Sequence, residues 1–160
     1  MTTDYASKEL NNSIALLLKY VKQNLCLLAL CIFRSILLMS YKIVVVEDDL
    51  PIANMYKMKL ELAGFTAHVA ENGKIGLELI KDTKPDLILL DIRMPVMSGD
   101  IMLEKLRQTD WGSSIRVVIL TNISRDEAPR NLSLLGVDRY IVKAHHTPAQ
   151  IIDIVNEILK

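Results

Sequence analysis

The sequence predicts an α/β domain built on a doubly wound, five-stranded parallel sheet. From residue 41 onward, short β-branched runs alternate with helical patterns, and no internal repeat or low-complexity tract interrupts them. The third and fourth strands are apolar throughout, which is typical of parallel strands that are buried on both faces. Because β-α-β crossovers are right-handed, helices should cover both faces of the sheet. Among the orders known for such sheets, we expect 2-1-3-4-5.

Each predicted strand is a short run dominated by apolar residues. The five strands are Lys42–Val46, Phe65–Ala70, Asp86–Leu90, Arg116–Leu120 and Arg139–Val142. Continuous runs of Val, Ile and Leu favour extended backbone in a buried sheet.

Five helices are predicted between and after these strands. They are Leu50–Ala63, Gly73–Lys81, Gly99–Gln108, a helix around Asp126–Leu135, and a last helix that runs to Lys160. Gly64 follows the first helix and Gly136 the fourth, at the left-handed position that suits glycine. Pro129 is tolerated only in the first turn of a helix, so the fourth helix should start late.

The last helix has the clearest start signal. Thr147 is a typical N-cap residue, Pro148 suits the first helical position, and Gln150 stands where a capping box places its second partner. The five strand–helix units together are typical of the flavodoxin-like (βα)5 arrangement.

Composition excludes several classes of protein. The chain has 160 residues, of which 51% are hydrophobic and 24% charged, so it is too apolar to be disordered and too charged for a polytopic membrane protein. Lys and Arg total 19, as do Asp and Glu, so no net positive charge indicates nucleic-acid binding. Cys26 and Cys31 fit neither a disulfide scaffold nor a zinc site. We expect an intracellular, cytoplasmic protein.

Residues 1–40 differ in composition and are predicted to form an apolar helical extension of a domain that spans residues 41–160. The stretch Ile14–Met39 contains three basic residues, and its longest apolar run has nine residues, against the roughly 20 that span a bilayer. No cleavage site of a signal peptide follows it. Three interpretations stay open: a helix that contacts a membrane or a partner, a poor transmembrane anchor, and upstream sequence before a true start at Met39.

Acidic side chains follow two strands that the expected order makes neighbours. Glu47, Asp48 and Asp49 follow the first strand, and Asp91 follows the third. Each close pair of carboxylates costs on the order of 4 kcal/mol at an effective dielectric constant of about 20, so either some stay protonated or a cation binds them. Oxygen ligands in a shallow, open site favour Mg²⁺. Asp49 is equally well explained as a helix N-cap, whereas Asp91, directly after four apolar residues, is not.

A hydroxyl and a cation follow two further strands at the same edge of the sheet. Thr121 follows the fourth strand and Lys143 the fifth. Beside a metal-bound carboxylate, these two groups would bind the oxygens of a phosphoryl group. Asp91 could then attack phosphorus in line and form an acyl phosphate.

Four motifs in combination closely resemble the receiver domain of two-component response regulators, over essentially Lys42 to Lys160. The motifs are Val46-Glu47-Asp48-Asp49, Leu89-Leu90-Asp91-Ile92-Arg93-Met94-Pro95 with Gly99, Leu120-Thr121, and Tyr140-Ile141-Val142-Lys143. Stand-alone, chemotaxis-type members of this family have the strand order 2-1-3-4-5. The resemblance implies that Asp91 is the phosphoacceptor, charged by a phosphohistidine on a sensor histidine kinase or a phosphotransfer protein.

The same resemblance implies roles for the neighbouring residues. Glu47, Asp48, Asp91 and the backbone carbonyl of Arg93 would be the protein ligands of Mg²⁺. Lys143 would pair with the phosphoryl charge.

The resemblance also implies a switch pair. Thr121 would shift toward the phosphoryl group, and the ring of Tyr140 would turn inward.

One position departs from the family pattern. The family usually has a proline after the lysine, with a cis peptide bond between them, and here Ala144 follows Lys143. A cis bond before a non-proline residue costs roughly 2.5–4 kcal/mol, so the geometry of this loop is left open. His145 and His146 next to it could suggest a metal site, but without a third ligand nearby an ordinary loop is the better interpretation.

These observations predict a phosphorylation-controlled signalling module and not a metabolic enzyme; the chain would catalyse only its own phosphorylation and dephosphorylation. A phosphorelay intermediate and a constitutive interaction module with a silent site are the alternatives. A phosphatase with an aspartyl nucleophile would need a second acid where Arg93 stands. A nucleotide binder would need a glycine-rich loop in place of Glu47–Asp49.

Because nothing follows the last helix, we expect no attached output domain. The signal would pass to an unidentified downstream protein, or through a homodimer formed by the fourth helix, the fifth strand and the last helix. Direct binding of nucleic acid is not expected, and membrane contact by residues 14–39 stays open.

Overall fold

The computed structural model describes residues 40–159. The predicted N-terminal apolar helix, with both cysteines, lies outside these residues. Four α-helices are described: α1 Leu50–Leu62, α2 Gly73–Thr83, α3 Gly99–Arg107 and α4 Pro148–Leu159. Five strands are described: β1 Lys42–Val46, β2 Thr66–Ala70, β3 Leu87–Leu90, β4 Arg116–Thr121 and β5 Arg139–Val142. None of the helices within residues 40–159 has the length and apolar character needed to span a membrane.

The five strands form one parallel sheet in the order β2-β1-β3-β4-β5, which confirms the predicted topology. β1 pairs with β3 in a register that aligns Val46 with Leu90, so both strands end at the same level. β4 pairs with β5 so that Thr121 lies opposite Val142. The residues that follow β1, β3 and β5 therefore leave the sheet along one edge.

Strand side chains alternate between two separate apolar layers. On one face, Ile43 and Val45 of β1 pack with Tyr56 and Leu60 of α1 and with the apolar side of α4. On the other face, Val44 and Val46 pack with residues of α2 and α3. Burial on both faces is what the continuous apolar strands predict.

Polar side chains fix the starts of three helices. Asp49 accepts a hydrogen bond from the amide of Ile52 and caps α1, as the N-cap interpretation of this residue predicts. Asn72 caps α2 in the same way. At α4 the predicted capping box is present: the amide of Thr147 donates to Oε1 of Gln150 at 2.8 Å, and the amide of Gln150 donates to Oγ1 of Thr147 at 3.3 Å.

The predicted fourth helix is wrong. Between β4 and β5 the only helical element described is a 3-10 segment, Arg130–Leu134. Pro129 disfavours helical backbone at the residue before it and has no N–H to donate, so it divides the stretch 126–135 into two pieces too short to propagate an α-helix. The bonds that form are tight turns, with the amide of Leu132 donating to the carbonyl of Pro129 and that of Leu135 to Leu132.

Candidate functional site

The acidic residues predicted from the sequence meet at the carboxyl ends of β1 and β3. The amide of Glu47 donates to the carbonyl of Ala70, and the amide of Asp91 donates to Val46, each at 3.0 Å, so the sheet pairing continues into these residues. One carboxylate oxygen each from Glu47, Asp48 and Asp91 lies within 4.8 Å of the other two. We call these three residues the carboxylate cluster.

The three residues of the carboxylate cluster differ in burial. Glu47 is 3% and Asp91 7% exposed, whereas Asp48 is an exposed residue. Buried carboxylates need partners, because an unpaired charge in an apolar surrounding is costly. The cluster therefore combines two deep carboxylates with a third that faces water.

Lys143 supplies that partner. Its Nζ lies 2.5 Å from Oε2 of Glu47 and 2.7 Å from Oδ2 of Asp91, so a single ammonium bridges two strand ends. Burial lowers the pKa of Lys143, but the hydrogen bonds and charges of Asp91 and Glu47 outweigh it and the net pKa is raised. Burial raises the pKa of Glu47, and Lys143 opposes that rise. Lys143 therefore stays charged at neutral pH.

The departure at Ala144 does not keep Lys143 away from the cluster. Every peptide bond within residues 40–159 is trans, including the bond between Lys143 and Ala144. Lys143 begins a short 3-10 turn that ends at His145. With this turn, the ammonium of Lys143 contacts the carboxylate cluster while the peptide bond before Ala144 is trans.

Backbone amides orient the carboxylate of Asp91. Its Oδ1 accepts hydrogen bonds from the amide of Ile92 at 2.6 Å and from that of Arg93 at 3.3 Å, while Oδ2 is paired with Lys143. Donors of this kind at fixed positions hold a carboxylate in one rotamer. Asp91 is thus pre-oriented at the end of β3.

Thr121 and Tyr140 contact the same segment, the residues that follow β4. The amide of Ile123 donates to Oγ1 of Thr121 at 3.4 Å, and the hydroxyl of Tyr140 donates to the carbonyl of Ile123 at 3.0 Å. Thr121 is buried, and the Tyr140 ring is half-buried. Burial and the charge of Asp91 raise the pKa of Tyr140, so its hydroxyl stays a donor. The predicted switch pair therefore shares one backbone segment.

A cleft of about 520 Å³ leads to the cluster. Asp48, Arg93 and Met94 are among its lining residues, together with Ile123 of the segment after β4. The backbone carbonyl of Arg93 as a ligand stays a prediction. Across residues 40–159, the carboxylate cluster is the one group of at least three acidic, His or Cys side chains arranged to hold a metal ion, and His145 and His146 do not belong to it.

Two features of the site were not predicted. Val96, in the loop after Asp91, has a left-handed backbone with φ 67° and is 79% exposed. This conformation is unusual for a β-branched residue, and no sequence signal marks it. Gly99 begins α3 so close to β3 that a Cβ atom there would lie 2.0 Å from the carbonyl oxygen of Asp91.

Comparisons with known proteins match the sequence to one family. The sequence model of one family, described as the response regulator receiver domain, matches residues 43–156. The chemotaxis protein CheY of Halobacterium salinarum is 29% identical over 121 residues, which cover 76% of this chain and 98% of that protein. The phosphate regulon transcriptional regulatory protein PhoB of Pseudomonas aeruginosa is 31% identical over 118 residues, 74% of this chain but only 51% of PhoB.

A solved structure agrees at the level of the fold. The chemotaxis response regulator CheY4 of Vibrio cholerae superposes with a TM-score of 0.69 at 22% identity, covering 75% of this chain and 99% of CheY4. The chain thus spans nearly all of the two chemotaxis proteins and about half of PhoB.

The strain at Val96 gives a stability prediction. Replacing Val96 with Gly removes the steric cost of a left-handed β-branched residue and loses little buried surface, so the free energy of unfolding should rise by about 1 kcal/mol. Urea unfolding measures this change. Val96→Ala keeps a Cβ atom and should give a smaller gain. A loss of stability in Val96→Gly would show that the valine side chain is held by contacts within the domain.

The close approach at Gly99 gives a second prediction. Gly99→Ala should cost about 2 kcal/mol or more, because the atoms that a Cβ would meet belong to the backbone of Asp91 and Ile92. It should also shift the amide resonances of both residues. Gly76→Ala is the matched control, because its Cβ would meet the side chains of Met102 and Val46 at 3.0–3.2 Å. Equal costs, with Asp91 undisturbed in both variants, would contradict the assignment.

Proposed function

Because this chain belongs to the family of response regulator receiver domains, which act in two-component systems, we propose that Asp91 accepts a phosphoryl group from a phosphohistidine. The donor would be a sensor histidine kinase or a phosphotransfer protein, the partners with which receiver domains interact. One observation carries the proposal: Asp91 lies at the end of β3 with an ammonium 2.7 Å from its Oδ2 and two more carboxylates within 4.8 Å.

The donor set fits a divalent metal ion. Receiver domains generally bind Mg²⁺ at an acidic pocket, and three carboxylates in mutual reach beside an open cleft suit a hard cation that keeps some of its water. Glu47, Asp48, Asp91 and the backbone carbonyl of Arg93 would hold it. Bound Mg²⁺ neutralises charge between the carboxylates and the incoming phosphoryl oxygens.

The transfer itself needs few protein groups. An oxygen of Asp91 forms a bond to phosphorus while the bond between phosphorus and the imidazole nitrogen breaks, and that nitrogen keeps the electron pair. Lys143 would then exchange its contact with the Asp91 carboxylate for one with a phosphoryl oxygen. The hydroxyl of Thr121 would donate to another. Hydrolysis of the acyl phosphate by water returns Asp91 to its starting state.

The switch follows from the shared backbone segment. If Thr121 moves toward a phosphoryl oxygen, it releases the amide of Ile123, and the carbonyl of Ile123 is the acceptor for Tyr140. The ring of Tyr140 would change position with that segment. Phosphorylation would thereby shift an existing equilibrium of the surface around β5 and not create a new fold.

This role is that of a cytoplasmic signalling protein and not of a metabolic enzyme, since the only reaction proposed is the gain and loss of the chain's own phosphoryl group. Stand-alone action, with output through an unidentified partner or a homodimer around β5 and α4, is part of the proposal. The proposal also includes an alternative role as a phosphorelay intermediate, in which Asp91 would pass its phosphoryl group to a second histidine.

Substitution of the acceptor tests the proposal directly. Asp91→Asn should abolish Mg²⁺-dependent labelling by radioactive acetyl phosphate, because the amide cannot form the acyl phosphate. Asp110→Asn, which changes an exposed aspartate in the loop after α3, should label as the original chain does. Persistent labelling of Asp91→Asn would refute the acceptor. A chain that is not labelled at all with Mg²⁺ present would favour the silent interaction module.

Removal of the bridging ammonium tests the metal site without measuring activity. Lys143→Met leaves the carboxylate cluster uncompensated, so Mg²⁺ should bind more tightly, by about tenfold if one unit charge of repulsion is relieved. Isothermal titration calorimetry measures the affinity, and the melting temperature should rise more on adding Mg²⁺. Lys143→Arg keeps the charge and should resemble the original chain, as should Lys59→Met on α1. Weaker binding in Lys143→Met would show that the cluster is not the metal site.

A further inference from the structure

A cavity of about 640 Å³ lies beside the 3-10 segment, and none of its lining residues belongs to the carboxylate cluster. It exists because the segment Arg130–Leu134 covers the sheet incompletely. Leu132 is the one buried residue of the segment, while Leu134 is 86% exposed. An α-helix at this place would bring a whole apolar stripe to the sheet, and a short 3-10 turn does not.

The lining has two chemically different parts. Ala128, Leu132 and Val137 form an apolar part, and three arginines, Arg125, Arg130 and Arg139, are exposed around it. Within residues 40–159, none of these three arginines forms a salt bridge. Their guanidinium groups are therefore not committed to carboxylates of the described domain.

Two aspartates also line the cavity, so its five charged side chains carry a net charge of +1. Oδ2 of Asp138 accepts a hydrogen bond of 2.8 Å from the amide of Val117, and this bond stabilises the pairing of β4 with β5. Asp126 is exposed. The arginines outnumber the aspartates, and planar guanidinium groups pair with phosphate through two parallel hydrogen bonds.

The walls of the cavity are held in place from both ends. Arg107 of α3 donates from Nε to the carbonyl of Leu135 at 2.8 Å and from an Nη to that of Gly136 at 2.9 Å, which fixes the end of the 3-10 segment. At the other end, the Tyr140 hydroxyl is bonded to Ile123, and the guanidinium of Arg125 lies 6.0 Å from the centre of the Tyr140 ring. The end at Leu135 and Gly136 takes no part in the proposed switch, whereas the end at Tyr140 would move with it; walls that are already in place lower the entropic cost of binding a ligand.

We propose that this cavity binds a small phosphomonoester that carries a ring, with the phosphate at Arg130 and Arg139 and the ring against Leu132 and Val137. Its volume lies in the range of small-molecule sites, and its mixture of apolar surface with a few charged groups is typical of them. Nucleoside monophosphates are the natural compounds of this class. Because Tyr140 lines the cavity, the proposed switch would alter one wall of the site, but binding to the unphosphorylated chain needs no phosphoryl group on Asp91, so the two proposals can fail separately.

Titration of the full chain with AMP tests the site. The methyl resonances of Leu132 and Val137 should shift saturably, and Arg130→Gln and Arg139→Gln should each weaken binding by about tenfold, because each loses a charge-assisted bond. Lys81→Gln, which changes an exposed cation on α2, should bind AMP as the original chain does. Both arginines are exposed, so these variants should keep the melting temperature of the original chain.

Adenosine and inorganic phosphate separate the two halves of the ligand. Each should bind at least tenfold more weakly than AMP, because adenosine lacks the charge and phosphate lacks the ring. Inorganic phosphate that binds as tightly as AMP would reduce the site to a nonspecific patch of cations and overturn the proposal. So would unchanged affinity in both arginine variants, or no shift at millimolar AMP.

The same titration on Asp91→Asn keeps this test independent of the acceptor. If AMP binds that variant and labelling by acetyl phosphate fails in the original chain, the cavity proposal stands and the phosphorylation proposal falls. If labelling succeeds and AMP does not bind, the reverse holds.

Discussion

The contact of one ammonium with two buried carboxylates governs the functional end of this sheet. Glu47 and Asp91 follow neighbouring strands, and the register of β1 with β3 brings them together whether or not their charges are compatible. At a separation of about 4 Å, two such charges repel by roughly 4 kcal/mol in a partly screened environment. Lys143 offsets this repulsion from β5, on the far side of β4. Because the Asp91 carboxylate needs a cation beside it, a change in the groups that Lys143 contacts can change the state of the site.

Residues whose positions depend on the sheet could be predicted from the sequence, because apolar runs fix the strands and each strand end fixes the position of the next residue. Glu47, Asp91 and Lys143 meet as expected because each comes directly after a strand. The doubly wound sheet was expected from the right-handed crossovers and the order 2-1-3-4-5 from the known orders of such sheets, and the order is confirmed. The capping box at Thr147 was predictable for a similar reason, since all of its parts are local.

Features that depend on competition between local preferences could not be predicted. The stretch 126–135 has enough apolar residues for a helix, but Pro129 divides it. The hydrophobic periodicity of the sequence does not show whether the free energy gained by burying a helix exceeds the cost of the proline. Val96 adopts a left-handed backbone in the loop between Asp91 and Gly99. The residue type gives no sign of this conformation, because left-handed backbone is rare for a β-branched residue.

The two departures from regular structure both occur in segments that follow the carboxyl ends of strands, Val96 after β3 and the 3-10 segment after β4. A doubly wound sheet leaves the carboxyl ends of its strands uncovered, so the loops there make few of the contacts that enforce regular backbone. The segment after β4 contacts Thr121 and Tyr140 before the 3-10 turn begins: the amide of residue 123 donates to Thr121, and the carbonyls of residues 123 and 124 accept from the Tyr140 hydroxyl. These bonds lie outside the 3-10 turn, so an exchange of partners there does not require the turn to open. The 3-10 turn that stands in place of a helix leaves the cavity beside it.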